Sequence, residues 1–248
     1  MTAHGRRPLV AGNWKMHTTV TEGVALARAI VAATRPDGVD LALLPPFPHL
    51  VPVGEALAGS GVLLGAQDCF WEATGPYTGE VSPTMLAPIC DLVLVGHSER
   101  RALGETDEQV GAKARAALDA GLAVIVACGE VLAERQAGCA EDVVVRQLSA
   151  VTAAIGPLDP SRVVFAYEPV WAIGSGMAAT PEDAQSMCAT IRAHGGDPAL
   201  RVLYGGSVTP ATAAGLLAGD DVDGALVGGA SLRVADLLGI AAAAGGQR

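Results

Sequence analysis

The chain is poor in aromatic residues, poor in charge, and free of paired-cysteine motifs and long apolar runs. Phe, Trp and Tyr make up only 4% of its 248 residues, so a core must be built from Ala, Val, Leu and Ile. Half the residues are still hydrophobic, so that core can be large. This composition suits a parallel sheet whose outer face is covered by helices. No apolar run approaches the about 20 residues needed to span a bilayer, so no membrane association is expected. The opening MTAHGRRPLVAGNW has two arginines but only a short apolar segment, and does not read as a signal peptide. The five cysteines, Cys69, Cys90, Cys128, Cys139 and Cys188, are odd in number and include no CxxC pair. That argues against a disulfide framework or a zinc site and for a reducing, cytoplasmic setting. Sixteen Lys and Arg against 26 Asp and Glu leave a net charge of -10 with no basic stripe, which argues against a nucleic-acid partner. An anionic ligand would therefore need local attraction, since charges beyond about 8 Å are largely screened at physiological salt.

What is present is a strand-then-helix unit, repeated. Short apolar segments predict strands at 9–12, 39–44, 62–65, 92–95, 123–127, 163–167, 201–204 and 224–227. Between them, helices are expected near 21–33, 48–57, 83–89, 107–120, 141–155, 181–194, 210–217 and 232–240, with 241–248 as a frayed end. Thr106 to Gln109 has the spacing of a capping box, and Ser82-Pro83, Thr180-Pro181 and Thr209-Pro210 each place a hydroxyl before a proline that can open a helix. Eight such units in this length predict an α/β fold, a (β/α)8 barrel. The rival, an open doubly wound sheet, would carry a glycine-rich turn after its first strand; here that turn is Gly12-Asn13-Trp14-Lys15. No linker or low-complexity segment divides the chain, so residues 1–248 are expected to form one domain.

In a barrel the active face lies where the strands end. The predicted strand ends carry Asn13 and Lys15, then His97 within GHSERR, then Glu168, then Gly205-Gly206-Ser207, then Gly228-Gly229-Ala230-Ser231. Each has an ordinary alternative: a solvated lysine, a structural histidine, a tight glycine turn. Their joint placement at strand ends is what points to an enzyme. The stretch FAYEPVWAIGSGMAAT at 165–180 is the most telling. It delivers Glu168 at the end of a strand, and Pro169 keeps a helix from starting there. A loop mixing Pro169 and Trp171 with Gly174, Ser175 and Gly176 follows, and a loop of this kind beside a base suits a lid that keeps water from the chemistry.

GNWKM at 12–16, GAQD at 65–68, TGEVSP at 78–83, GHSERR at 96–101, YEPVWAIGSG at 167–176, YGGSV at 204–208 and LVGGASL at 226–232 resemble the triosephosphate isomerase family, in order and nearly end to end. The resemblance implies a barrel that interconverts dihydroxyacetone phosphate and glyceraldehyde 3-phosphate without metal or cofactor. Glu168 matches the family's base, His97 its electrophile and Lys15 its essential lysine, with Asn13 adding a hydrogen bond and Glu99 a supporting acid. A neutral histidine at a helix N-terminus paired with a glutamate base is a known pattern in this family, and a short helix opened by Ser98 would favour it here. The phosphate is expected against backbone N–H groups of Gly174, Ser207, Gly228 and Gly229, glycine letting the backbone come close. The loop from Gln67 to Ser82 resembles one that projects into a second subunit, where Thr78 would reach the partner's site; a homodimer follows.

The sequence departs from the family pattern at several points. His17 stands where asparagine is usual, Ala127 where cysteine is usual, Ser175 for threonine and Met177 for lysine. Two alternatives stay open: an isomerase of a related four-carbon sugar phosphate, which Trp71 in the third loop allows, and a non-catalytic phosphate-binding barrel.

Overall fold

The computed structural model describes residues 5–173, 177 and 179–246. Eight parallel strands close into a barrel in sequence order: β1 Leu9–Asn13, β2 Asp40–Leu44, β3 Leu63–Ala66, β4 Leu92–Val95, β5 Ala123–Cys128, β6 Val163–Tyr167, β7 Arg201–Tyr204 and β8 Gly224–Val227. The seam is β1 against β8, with Leu9 beside Gly224 and Gly12 beside Val227. Side chains alternate across each strand. Leu9, Ala11, Ala42, Leu44, Leu92, Leu94, Ile125, Ala127, Val164, Ala166, Leu203 and Leu226 fill the barrel's interior. Val10, Leu43, Val93, Val126, Phe165 and Val202 point outward into the layer shared with the helices. Each fully buried aliphatic side chain contributes about 1.5–3 kcal/mol, so two apolar layers stand in for the missing aromatics.

The outer helices are α1 Val20–Ala32, α2 Leu50–Leu57, α3 Pro83–Leu86, α4 Ser98–Ala102, α5 Asp107–Asp119, α6 Leu132–Gln136, α7 Ala140–Ile155, α8 Pro181–Gly195, α9 Pro210–Leu216 and α10 Val234–Gly246. The expected caps are formed: the Thr106, Thr180 and Thr209 side chains accept N–H bonds from the first turns of α5, α8 and α9, and Ser82 does the same for α3. Beyond Leu86, α3 gives way to turns ending at Cys90. The end expected to fray at 241 instead continues α10 to Gly246, with Ala241 and Ala244 buried. Its small residues let the helix lie close; a side chain at Gly245 would come 3.0 Å from Val39 Cγ2. Tertiary packing there overrides the weak helix propensity of glycine. None of the helices among the described residues is long and apolar enough to cross a membrane.

Candidate active site

The inward parity of β6 carries straight into the site. Val164 and Ala166 face the interior, and Glu168 follows two residues on, 2% exposed, with its N–H still bonded to Cys128 O at 2.8 Å. On β4 the parity is broken on purpose of geometry by Gly96, whose φ is 73°. A Cβ there would lie 2.8 Å from Ala127 O and 2.9 Å from Val110 Cγ1, so only glycine makes the turn that brings His97 to the rim.

His97 caps α4. Its Nδ1 accepts the Glu99 N–H at 3.2 Å, and its Nε2 lies 3.0 Å from Glu168 Oε1. A nitrogen that accepts carries no proton, so the neutral ring bears its hydrogen on Nε2 and donates it to Glu168. The other oxygen of that carboxylate, Oε2, accepts the Ser98 N–H at 2.8 Å. Burial disfavours a charged imidazole, but the hydrogen bond and charge of Glu168, with the charge of Glu99, outweigh both burial and the nearby Lys15, so the His97 pKa is raised above 6.5. The short helix expected to disfavour the cation is present, and it acts through the Glu99 N–H, but the facing carboxylate pulls harder.

Asn13 ends β1, 4% exposed, and its Oδ1 accepts the Lys15 N–H at 2.9 Å. This bond holds Lys15 at a φ of 52°, rare for a side-chain-bearing residue. Gln67 pins the same turn from β3, its Nε2 donating to Lys15 O at 2.9 Å and to Leu44 O at 2.8 Å. The Lys15 Nζ reaches Glu99 Oε1 at 2.6 Å. Burial raises the Glu99 pKa, but the bond and charge of Lys15, then His97 and His17, bring it below its ordinary value. Gly228 leaves room for this lysine: a Cβ there would sit 3.3 Å from Lys15 Cε.

A pocket of about 600 Å³ opens at this rim, lined by Asn13, Lys15, His97, Glu168, Ser207, Gly228 and Gly229 among others. Ser207 Oγ donates to Ala172 O at 3.2 Å, and the turn Gly229–Leu232 starts at the pocket wall. Glu99 acts on the pocket through Lys15 and His97. Thr78 is exposed on its loop and lines no part of the pocket. Gly174, with the centre of the expected lid, lies outside the described residues.

The strand-end rule also holds for residues it was not used to find. Gln67 follows β3, and Glu130 follows β5 by two residues. Glu130 is fully buried, and its Oε1 accepts from Trp171 Nε1 at 2.8 Å, Tyr167 OH at 3.0 Å and Arg135 at 3.2 Å. It thereby anchors the backbone on both sides of Glu168. His17 and Arg233 also line the mouth. Trp71 stacks on Phe70 with centroids 4.0 Å apart and does not line the pocket.

The family model described as triosephosphate isomerase matches residues 8–244. A protein of that name from Herpetosiphon aurantiacus is 51% identical over 245 residues, covering 95% of this chain and 98% of its own. One from Thiobacillus denitrificans is 49% identical over 247 residues, with 96% and 99% covered. One from Pelobacter propionicus is 48% identical over 242 residues, with 93% and 96% covered.

Proposed function

The chain belongs to the triosephosphate isomerase family, and from that premise we propose how its residues divide the reaction. The enzyme is an aldose–ketose isomerase, interconverting dihydroxyacetone phosphate and D-glyceraldehyde 3-phosphate by proton transfer through an enediolate. Glu168 is the base that moves a proton between the two carbons. His97 donates from Nε2 to the substrate's oxygens, and Lys15, with Asn13, balances the negative charge that builds on them. Ser207, Gly228, Gly229 and Gly174 offer backbone N–H groups to the phosphate, and Lys15 adds the local attraction that a protein of net charge -10 otherwise lacks.

The observation that carries this reading is the bonding at His97. Its Nδ1 is occupied by a backbone N–H, so the one mobile proton of the neutral ring sits on Nε2, the atom 3.0 Å from Glu168. Substrate entering the pocket takes over that proton as a hydrogen bond to its carbonyl, and frees Glu168 for the neighbouring C–H. Glu99 steers Lys15 and transfers no proton. Replacing Glu168 with Gln is expected to lower kcat by about 10²–10⁴-fold while inorganic phosphate still inhibits. A coupled assay with three- and four-carbon sugar phosphates measures this directly, and turnover surviving in Glu168→Gln refutes the base assignment. Selective turnover of the four-carbon substrate by the native enzyme would shift the substrate reading instead.

We further propose a homodimer built around the loop from Gln67 to Ser82. Met16, Phe47, Tyr77 and Ile89 in the connections after the first strands, Val51 on α2 and Met85 on α3 are exposed apolar side chains, and the rings of Tyr77 and Phe70 lie 4.7 Å apart between centroids. Large apolar side chains left exposed in such number favour association. Thr78 would then reach the partner's Asn13 and Lys15. Size exclusion with light scattering is expected to give twice the chain mass; a fully active monomer rules the dimer reading out. A cytoplasmic setting is proposed from the five free cysteines.

A further inference from the structure

Two residues other than glycine have positive φ among the described residues, and both lie in the turn between β1 and α1: Lys15 at 52° and Thr18 at 72°. A β-branched residue at such an angle is a real outlier, and it persists only where its surroundings over-determine it. Lys15 is held inside the site, by Asn13 and Gln67. Thr18 is held from outside it. His49, just before α2, is 4% exposed and does not line the pocket. Its Nε2 lies 3.2 Å from Thr18 O and 3.2 Å from Thr18 Oγ1. The Thr18 hydroxyl donates to His17 O at 2.5 Å, so toward the ring it can only accept. The proton of a neutral His49 therefore sits on Nε2 and is shared by the two Thr18 oxygens.

The rest of the imidazole has no polar use. Its Nδ1 is buried without a partner, which an apolar ring of similar shape would avoid. The packing around it is close: a Cβ at Gly23 would come 2.6 Å from His49 Cδ2 and 3.1 Å from Trp14 Cζ3. The first turn of α1, the strained Thr18 and the imidazole thus form one block directly behind the Lys15 turn.

We propose that His49 is a positioning residue: its Nε2–H ties down Thr18 and so holds Lys15, three residues earlier, at the pocket. The inference rests on the reading of Lys15 as the lysine that meets the substrate's negative charge.

The test compares His49→Phe, His49→Gln and Lys15→Met in the full chain by steady-state kinetics, inhibition by inorganic phosphate, thermal melting and light scattering. His49→Phe is expected to melt at or above the native temperature, because it removes an orphaned buried nitrogen. Its KM and phosphate inhibition constant should rise together by about three- to tenfold, the worth of one hydrogen bond, with kcat changing less. His49→Gln keeps an N–H donor and should stay within about twofold of native. Adding Thr18→Gly to His49→Phe relieves the strain and should return KM toward the native value. Native KM and phosphate inhibition in His49→Phe overturn the proposal. So does equal impairment in the Gln variant, or a loss that light scattering traces to a broken assembly. Lys15→Met separates the two layers: undiminished phosphate inhibition there overturns the reading of Lys15 and this inference with it. Weakened inhibition there beside a native-like His49→Phe overturns the role of His49 alone. Should the Phe variant not fold, imidazole nitrogen NMR of the native protein decides, an Nε2–H tautomer supporting the proposal and an Nδ1–H tautomer refuting it.

Discussion

At Glu168 and His97 a buried carboxylate and a buried imidazole share one hydrogen bond, and the carboxylate raises the proton affinity of the ring. The raised pKa of His97 has a consequence for stability. A group whose pKa is raised by folding contributes stability that is complete below its unfolded value and is lost as pH rises through its folded value. The His97 contribution is therefore present below about pH 6.5 and fades above it. Glu168→Gln removes the hydrogen-bonded charge behind the shift. The stability gap between native protein and Glu168→Gln should be widest on the acid side of that value and should narrow as pH rises, which urea unfolding across the range measures. The same variant should show a lower imidazole pKa by NMR. The thiols are raised as well, but by burial and not by a partner. Burial pushes Cys69 and Cys128 up to about 12, with Asp68 adding to it at Cys69, so neither is a reactive thiolate near neutral pH.

At the scale of elements, the short helix α4 is tied to its neighbours by charge. Lys113 on α5, with a side chain 4% exposed, contacts Asp68 Oδ1 at 2.7 Å and also pairs with Glu105, while Arg100 of α4 reaches Asp68 at 3.0 Å. The buried ammonium thus joins the start of the third loop to the connection into α5, and Arg100 adds α4 through Asp68. Burial lowers the Lys113 pKa, but Asp68 and Glu105 more than compensate and raise it, so the lysine stays charged throughout the neutral range. Lys113→Met leaves the buried Glu105 without its cation and Asp68 with Arg100 alone. It should cost about 3–5 kcal/mol in urea unfolding. Most of these elements are legible in the sequence, because a short apolar run and a hydroxyl placed at a helix start are local signals. The end of α10 is not legible in the sequence, because nothing local distinguishes a run of Ala and Gly that frays from one that docks against Val39.

For the whole molecule, closure is secured at the end opposite the pocket. Asp223 is fully buried between Arg6 at 2.7 Å and Arg192 at 2.6 Å, and its Oδ2 also accepts the Val202 N–H at 2.9 Å. Its backbone oxygen takes the Leu9 N–H at 3.0 Å, so one residue links β1, β7 and α8 at the seam. Asp223→Ala removes the buried carboxylate that Arg6 and Arg192 share and the acceptor of the Val202 N–H, and should cost about 3–5 kcal/mol. The pocket lies at the other rim, so kcat/KM of the folded fraction should stay native, as stopped assays at low temperature can check. If the dimer is the folded form, the melting temperature should also rise with protein concentration.

By itself the chain's order of residues determined the number and direction of the strands, the caps that start the helices, and which end of the barrel carries Asn13, Lys15, His97, Glu168, Ser207 and the Gly228-Gly229 pair. All of these follow from spacing along the polymer and from bonds spanning a few residues. Only the folded chain decided that Gln67 pins the Lys15 turn, that Glu130 braces the backbone around Glu168, that His49 holds Thr18, and that His97 is drawn toward its charged form. Those outcomes depend on groups 31 to 71 positions apart, as between Thr18 and His49 or His97 and Glu168. Such groups meet only once the sheet has curled shut, and burial then strengthens each contact that survives.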